Sequence, residues 1–485
     1  MSLSTSLPKI VSERIPGPKS AEMLNIRKDN VTDAVGMLSP VFIDRAEGAM
    51  VQDVDGNIFI DFVAGIGVLN IGHSHPEVVE AVKAQAERYF APNINVFNYA
   101  EYPKLAEKLN EIIPIDGPKK TILVNTGAEA DENAVKLARR FTGRIEIICF
   151  AGAFHGRSYM TMAMTSKVKP YKFNFGPLPG GVHRFPFPYC YRCPYGLSEE
   201  SCGLHCAKMF EDSFFLEYVA AESVAAIVIE PILGEGGFVI PPDAFLTELR
   251  RLCDKYGILL IADEIQTGYA RTGKMFACEY WNVRPDIVVS AKSVAGGIPV
   301  SCVTARSDIM ESVGPGELGG TYSGNALATA SALKILEIME RDDFCAKARH
   351  IGEIAEARLR EIESKYAIVG DVRGRGAMLA IEFVKDRATK EPAKEECKAI
   401  IGECMQNGLV VLGSGVRDNN IRFLMPLIIT DEQLNAGFDI LDAAIAKVTG
   451  CRTVRPAAYV QGDCRGNPPE CHSPDIAEEA DAKRP

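Results

Sequence analysis

No apolar run in this chain is long enough to cross a bilayer, and its first twenty residues, MSLSTSLPKIVSERIPGPKS, hold no apolar core of signal-peptide length. Membrane insertion and export are therefore not expected, and a cytoplasmic setting is. Basic residues are in the minority: 53 lysines and arginines face 64 acidic residues, for a net charge of −11. With no basic stripe, nucleic acid is not expected as the main partner. Internal repeats and low-complexity tracts of consequence are lacking too. Most of the 14 cysteines are scattered singly through apolar stretches, as buried thiols are, and do not argue for an oxidising compartment. What is present is ordinary for a globular protein: 485 residues, 47% hydrophobic and 24% charged. That length allows two domains, or one large domain with a smaller companion.

The chain divides into four parts. Residues 1–60 form an irregular lead-in with a hairpin-like stretch, GAMVQDVDGNIFIDF, turning at Asp55-Gly56. Over 61–330, β-runs alternate with amphipathic helical patterns such as AEADENAVKLARRF and FLTELRRLCDKY. The predicted strands are TILVN (121–125), IEIICF (145–150), AAIVIE (225–230), ILLIAD (258–263), DIVVS (286–290) and VSCVTA (300–305). This alternation predicts an α/β domain, a mainly parallel sheet with helices on both faces. Residues 331–450, with two long helical patterns, the short strand region AMLAIEFV and a last helix, predict a smaller α+β domain, against which 1–60 is expected to pack. Residues 451–485, rich in Pro, Gly and charge, predict a loosely ordered tail.

In open α/β sheets the ligand crevice lies beyond the carboxyl ends of the strands. Three of the predicted strands end in chemically pointed residues: Glu230, Asp263 and, just past its strand, Lys292 in DIVVSAKSVAGGIPVS. Each alone reads equally well as a salt bridge at a strand end. An ammonium at the end of a buried strand is costly unless something uses it. A lysine and a carboxylate converging in a crevice are what a pyridoxal phosphate site requires: the lysine forms a Schiff base and the acid keeps the pyridine nitrogen protonated. The stretch NTGAEADENAVKLARR (125–140) adds a turn of small residues opening a helix, where free N–H groups and the helix dipole favour an anion. It lacks the lysine of a nucleotide-binding P-loop, which counts against an ATPase.

The motifs DFVAGIGVLNIGHSHP, NTGAEADENAVKLAR, GAFHGRS, IEPILGEGGF, LIADEIQTGYARTGKMFACE, AKSVAGGIP, GGTYSGN, VRGRGAML and IRFLMPL run in order through most of residues 35–448. On them the sequence resembles the class III aminotransferases of the pyridoxal-phosphate fold type I superfamily, and within that class the 4-aminobutyrate aminotransferases of bacterial type. The resemblance implies a homodimer, possessing two shared sites, that carries an amino group from an ω-amino acid to 2-oxoglutarate by a ping-pong mechanism. It makes Lys292 the lysine bound to the cofactor and Asp263 the partner of the ring nitrogen. Gln266 is then expected to bond the phenolic oxygen, Phe154 and Ile265 to flank the ring, and Gly127 and Ala128 to offer backbone N–H groups to the phosphate. Thr321 is expected to reach the phosphate of the neighbouring subunit. Taken without the resemblance, Phe154 reads equally as a core aromatic and Thr321 as a turn residue.

Substrate choice, on the same resemblance, rests on Arg157 for the distal carboxylate and Arg422 for the α-carboxylate of glutamate or 2-oxoglutarate. Glu235 covers Arg422 when no α-carboxylate is bound, because a bare arginine facing an apolar substrate chain is badly solvated. Ile66 matches an apolar position beside the substrate chain, and Glu230 is grouped with these substrate-side residues. Ornithine, acetylornithine and diamine aminotransferases, and amino acid racemases of the same class, are the alternatives. One stretch departs from the common pattern: Cys190, Cys193, Cys202 and Cys206 stand as C-x2-C-x8-C-x3-C beside His205. Such spacing could hold zinc or an iron–sulfur cluster, but a loop of reduced or opportunistically paired thiols remote from catalysis is the expectation; the site expected here contains no metal.

Overall fold

Seven strands build the main sheet, in the order Lys119–Val124, Ser301–Arg306, Ile287–Ser290, Leu259–Asp263, Val224–Ile229, Glu146–Phe150, Val182–Phe185. The computed structural model from which this is taken describes residues 2–450; the expected tail, 451–485, lies outside the described residues. Every neighbouring pair is parallel except the two made by Ser301–Arg306. That strand follows Ile287–Ser290 after only ten residues, too few for a crossover helix, so it returns antiparallel. All six predicted strands are present to within a residue or two. Val182–Phe185 was not foreseen. It is a four-residue edge strand, VHRF, bracketed by Gly-Gly and Pro, too short for an alternation to register.

Alternate residues of each central strand serve opposite faces. Ile147, Cys149, Ala226, Val228 and Ile261 join the apolar face of helix Gly127–Thr142, whereas Ile148, Phe150, Ile227, Ile229 and Leu260 pack with Phe245, Leu249 and Leu252 of helix Phe245–Tyr256. Both faces are thus covered, which is why the strands read as unbroken apolar runs.

The lead-in forms the expected hairpin. Met50–Asp53 pairs antiparallel with Ile58–Asp61 across a turn in which Gly56 takes φ +90° and the Asp53 carboxylate accepts the N–H groups of Asp55 and Asn57 at 3.0 and 2.8 Å. Ile58–Asp61 also pairs parallel with Leu409–Val410, so this segment is hydrogen-bonded to the C-terminal part of the chain. There, helices Ala326–Arg341 and Phe344–Lys365 precede an antiparallel sheet ordered Val369–Arg375, Met378–Phe383, Asn420–Phe423, Leu412–Ser414, and helix Asp431–Thr449 closes it behind a Thr430/Gln433 capping box. The main sheet sets the site. Ile287–Ser290, Leu259–Asp263 and Val224–Ile229 are adjacent and parallel, so their carboxyl ends bring Lys292, Asp263 and Glu230 to one edge.

Candidate active site

Lys292 begins a single 3-10 turn, Lys292–Val294, with φ +48°, a left-handed conformation that costs a residue with a Cβ about 1–2 kcal/mol. Its ammonium feels the charges of Arg422, Asp263, Glu230 and Glu235. Burial, and then the nearby Arg422 guanidinium, lower its pKa to about 8, against an opposing pull from Asp263, Glu230 and Glu235. Among the described residues it makes no ion pair. It is an amine kept ready to be neutral.

Asp263 is buried at its strand end. Its Oδ2 lies 2.7 Å from His155 Nδ1 and its Oδ1 accepts the Ile265 N–H at 3.1 Å. With Asp263 as the carboxylate, His155 Nδ1 is the donor. Glu230, one strand over, accepts the Phe154 N–H and the Gly234 N–H at 2.7 Å each, clamping the Phe154 loop to the next turn. Burial, and then Asp263, push the Glu230 carboxyl up to about 7.

The strand Lys119–Val124 runs through Asn125-Thr126 into helix Gly127–Thr142. Thr126 caps the Glu129 N–H at 3.2 Å, and the Glu129 carboxylate returns to the Asn125 N–H at 2.8 Å. The N–H groups of Gly127 and Ala128, at the first two helical positions, have no partner within the helix and suit an anion. A Cβ on Gly127 would lie 2.7 Å from Ile265 Cδ1, so the phosphate turn and the residue expected over the ring are in contact only because residue 127 is glycine. Gly156, at φ +134°, approaches Ala128 as closely: a Cβ there would be 2.5 Å from the Ala128 Cβ.

On the substrate side, Arg422 Nη2 bonds Glu235 Oε2 at 3.0 Å and Nη1 donates to the Gly234 carbonyl at 3.2 Å. The other Glu235 oxygen, Oε1, accepts the Tyr171 hydroxyl at 2.9 Å. The Arg157 guanidinium lies 4.9 Å over the Tyr171 ring, and the Phe154 ring meets the same tyrosine edge-on at 5.0 Å. Arg157 is exposed and makes no ion pair among the described residues. Four successive residues, Ala64, Gly65, Ile66 and Gly67, hold φ between +47° and +76°. This left-handed turn presents Ile66 outward, its carbonyl accepting Gln266 Nε2 at 3.4 Å, while Ser293, beside Lys292, donates to the Gly67 carbonyl at 2.9 Å. Gln266 Oε1 is buried without a hydrogen-bond partner among the described residues.

The structure therefore gathers Lys292, Asp263, Glu230, Gln266, Ile265, Gly127, Ala128, Phe154, Ile66, Arg157, Glu235 and Arg422 around one crevice. Thr321 is exposed and forms no hydrogen bond to that set. Three further residues were not singled out from the sequence. His155 sits inside the quoted GAFHGRS. Asp131 stands three and four residues before the buried Ala134 and Val135 of its helix, so a carboxylate on the apolar stripe was a readable signal. Tyr171 had no signal, since only the folded loop brings it to Glu235. The four cysteines and His205 line one void of about 20 Å³. Burial pushes the Cys190 thiol up to about 12 and that of Cys206 to about 11. No three of their ligand atoms come within 4.8 Å of one another, whereas those of Asp131, His155 and Asp263 do.

A crevice with an activated lysine, a strand-end aspartate and a glycine-bounded anion turn is the donor set pyridoxal phosphate requires. The model of the family "Aminotransferase class-III" matches residues 32–445. A probable 4-aminobutyrate aminotransferase of Bacillus subtilis is 49% identical over 83% of this chain and 92% of its own length. A 5-aminovalerate aminotransferase of Pseudomonas aeruginosa is 44% identical over 86% and 96%, and the 4-aminobutyrate aminotransferase of Escherichia coli 43% over 87% and 97%. Among solved structures, an amine transaminase from an uncultivated Pseudomonas species in its PLP-bound form superimposes with TM-score 0.78 at 30% identity, covering 84% of this chain and 95% of that one. The chain belongs to the class III aminotransferases, with the fold type I architecture and pyridoxal 5′-phosphate as its cofactor.

Proposed function

We propose that the protein transfers the amino group of an ω-amino acid, 4-aminobutyrate first among candidates, to 2-oxoglutarate, yielding the semialdehyde and L-glutamate. The observation that carries this reading is the Glu235–Arg422 pair at 3.0 Å, with Arg157 nearby and in no ion pair among the described residues. One arginine stays free for the carboxylate that both substrates share. The other is covered until a second carboxylate displaces Glu235. When bound, the cofactor supplies an electron sink and an amino-group carrier. Lys292 Nζ would take the proton from the substrate carbon bearing the amino group and return it on the far side of that nitrogen, a 1,3-shift. Asp263 holds the ring nitrogen, Gln266 the phenolic oxygen, Phe154 and Ile265 the ring faces, and Gly127 and Ala128 the phosphate. Ile66 borders the substrate chain. Glu230, with both oxygens on backbone N–H groups, serves the substrate side by fixing the Phe154 loop.

A panel of donors (4-aminobutyrate, 5-aminovalerate, β-alanine, ornithine) assayed with 2-oxoglutarate tests the reaction; turnover of enantiomers with no keto acid would instead mean a racemase. Glu235→Ala tests the switch. Breaking a fully buried ion pair costs about 3–5 kcal/mol, but this one is partly exposed and built to open, so about 1–3 kcal/mol is expected. The half-reaction with 4-aminobutyrate should therefore slow about tenfold to a hundredfold relative to that with glutamate. Equal slowing of both halves in single-turnover measurements would make Glu235 a general support.

We also propose a homodimer with shared sites. Thr321 is exposed beside Tyr322, and the neighbouring loop carries exposed Val96 and Phe97, an apolar face that suits a second copy. Thr321→Ala should weaken cofactor retention, on the order of tenfold for one lost phosphate hydrogen bond. Full activity from a monomer at high dilution would rule the shared site out. The division into a cofactor domain (61–330) and a small domain (331–450) that receives residues 1–60 accords with the strand pairing of Leu409–Val410 to the lead-in. A cytoplasmic setting accords with the free thiols of the eleven described cysteines.

A further inference from the structure

We infer that Asp131 is a positioning residue for the reaction: a neutral carboxylic acid whose O–H donates to Asp263, so that the pair carries one negative charge fixed against the cofactor's ring nitrogen. Asp131 lies on the buried face of helix Gly127–Thr142, 1% exposed, with ligand atoms within 4.8 Å of those of Asp263 and His155. Both its carboxylate oxygens are buried and have no donor among the described residues. Asp263, in contrast, already takes the His155 ring N–H and the Ile265 N–H. Two carboxylates this buried and this close repel each other, and a proton on one of them relieves the repulsion. The proton that relieves them belongs on the one with no donors. There it turns an unsatisfied acceptor into a third hydrogen bond to Asp263.

Electrostatics point the same way. Burial, then the charges of Asp263 and Glu230 and, more weakly, Glu132 on the same helix, hold the Asp131 carboxyl well above the usual carboxylate range. His155 also faces it, and its Nδ1 is committed to Asp263. The consequence for catalysis is orientation. A side chain with its two oxygens tied by His155, Ile265 and Asp131 has no freedom left, so Asp263 meets the ring nitrogen without reorganising.

The role of Asp263 follows the proposed function, but the protonation of Asp131 is testable without substrate, so the two can fail separately. The full-length holoenzyme at neutral pH should show an infrared carboxylic-acid C=O band that disappears in Asp131→Asn. Linkage gives a second reading. A carboxyl whose pKa is raised on folding binds more protons in the native state, so its stability contribution falls as pH climbs past the unfolded value of about 3.9. The melting temperature of Asp131→Asn should therefore match wild type near pH 4 and exceed it increasingly toward pH 7. Asparagine keeps a donor toward Asp263 and leucine does not. Asp131→Asn should hold cofactor within about threefold of wild type and keep its pH–rate profile, while Asp131→Leu should bind cofactor at least about tenfold more weakly. Because Glu230 adds its own band near neutral pH, the reading is the difference: a wild-type minus Asp131→Asn spectrum with no carboxylic-acid C=O band overturns the proposal, and so does equal behaviour of the asparagine and leucine variants. If the leucine variant fails to fold, a pH-independent melting difference for asparagine does the same.

Discussion

Lys292→Ala should give a folded, colourless protein whose turnover is lower by about ten-thousandfold or more. Covalent tether and proton carrier are lost together, and positioned acid–base catalysis alone is worth about 10²–10⁴. Folding should survive. Alanine also carries a Cβ, so the left-handed cost at φ +48° is unchanged, and no ion pair is broken among the described residues. Removing an ammonium from a buried crevice is if anything favourable. The wild-type protein should be yellow and reducible by borohydride, with the adduct on the peptide containing Lys292. A label on Lys274 instead would sink the assignment. The lowered pKa of about 8 adds a kinetic signature. Above that value the amine is neutral and nucleophilic; below it the neutral fraction falls tenfold per pH unit. Capture of pyridoxal phosphate by stripped enzyme should rise with pH and level off near 8, two units before an ordinary lysine would.

The lysine was legible because it contradicts its surroundings: a charge after Ile287-Val288-Val289 demands a use. The sheet was legible for a related reason, since strands buried on both faces leave apolar runs that survive in one dimension. Less was readable where the structure depends on pairing across the chain. Asn420–Phe423 and Leu412–Ser414 are three or four residues long and become strands only by pairing, the first against Met378–Phe383 and the second against the first. The left-handed turn at Ala64–Gly67 has glycine at two of its four positions, and nothing local announces that Ala64 and Ile66 share it. Tyr171 is the clearest case. Its three partners, Phe154, Arg157 and Glu235, come from two other loops, so its place in the site exists only after folding. Burial, then the charge of Glu235, push its hydroxyl up to about 12, so at neutral pH it stays a donor to Glu235.

Asp263→Asn should bind cofactor nearly as well as wild type yet turn over about a hundredfold to a few thousandfold more slowly. The phosphate turn, Lys292 and the residues expected on the ring faces are untouched, so most of the binding contacts persist. What disappears is the negative charge opposite the ring nitrogen, and losing one partner of a buried ion pair costs about 3–5 kcal/mol. The amide is nearly isosteric, and its oxygen can keep one of the two contacts, from the Ile265 N–H or from His155 Nδ1, so the loss should appear in kcat more than in KM. A smaller residue separates charge from shape. Asp263→Ala leaves room beside the ring, and a pyridoxal phosphate analogue methylated on the ring nitrogen carries its positive charge permanently. Loaded into Asp263→Ala, that analogue should recover at least about tenfold of the lost rate, because the ring again draws electrons without a carboxylate to keep it charged. Loaded into wild type, it should gain nothing, since Asp263 already holds that charge and the methyl group crowds it. If the analogue fails to rescue the alanine variant while binding normally, Asp263 contributes placement rather than charge.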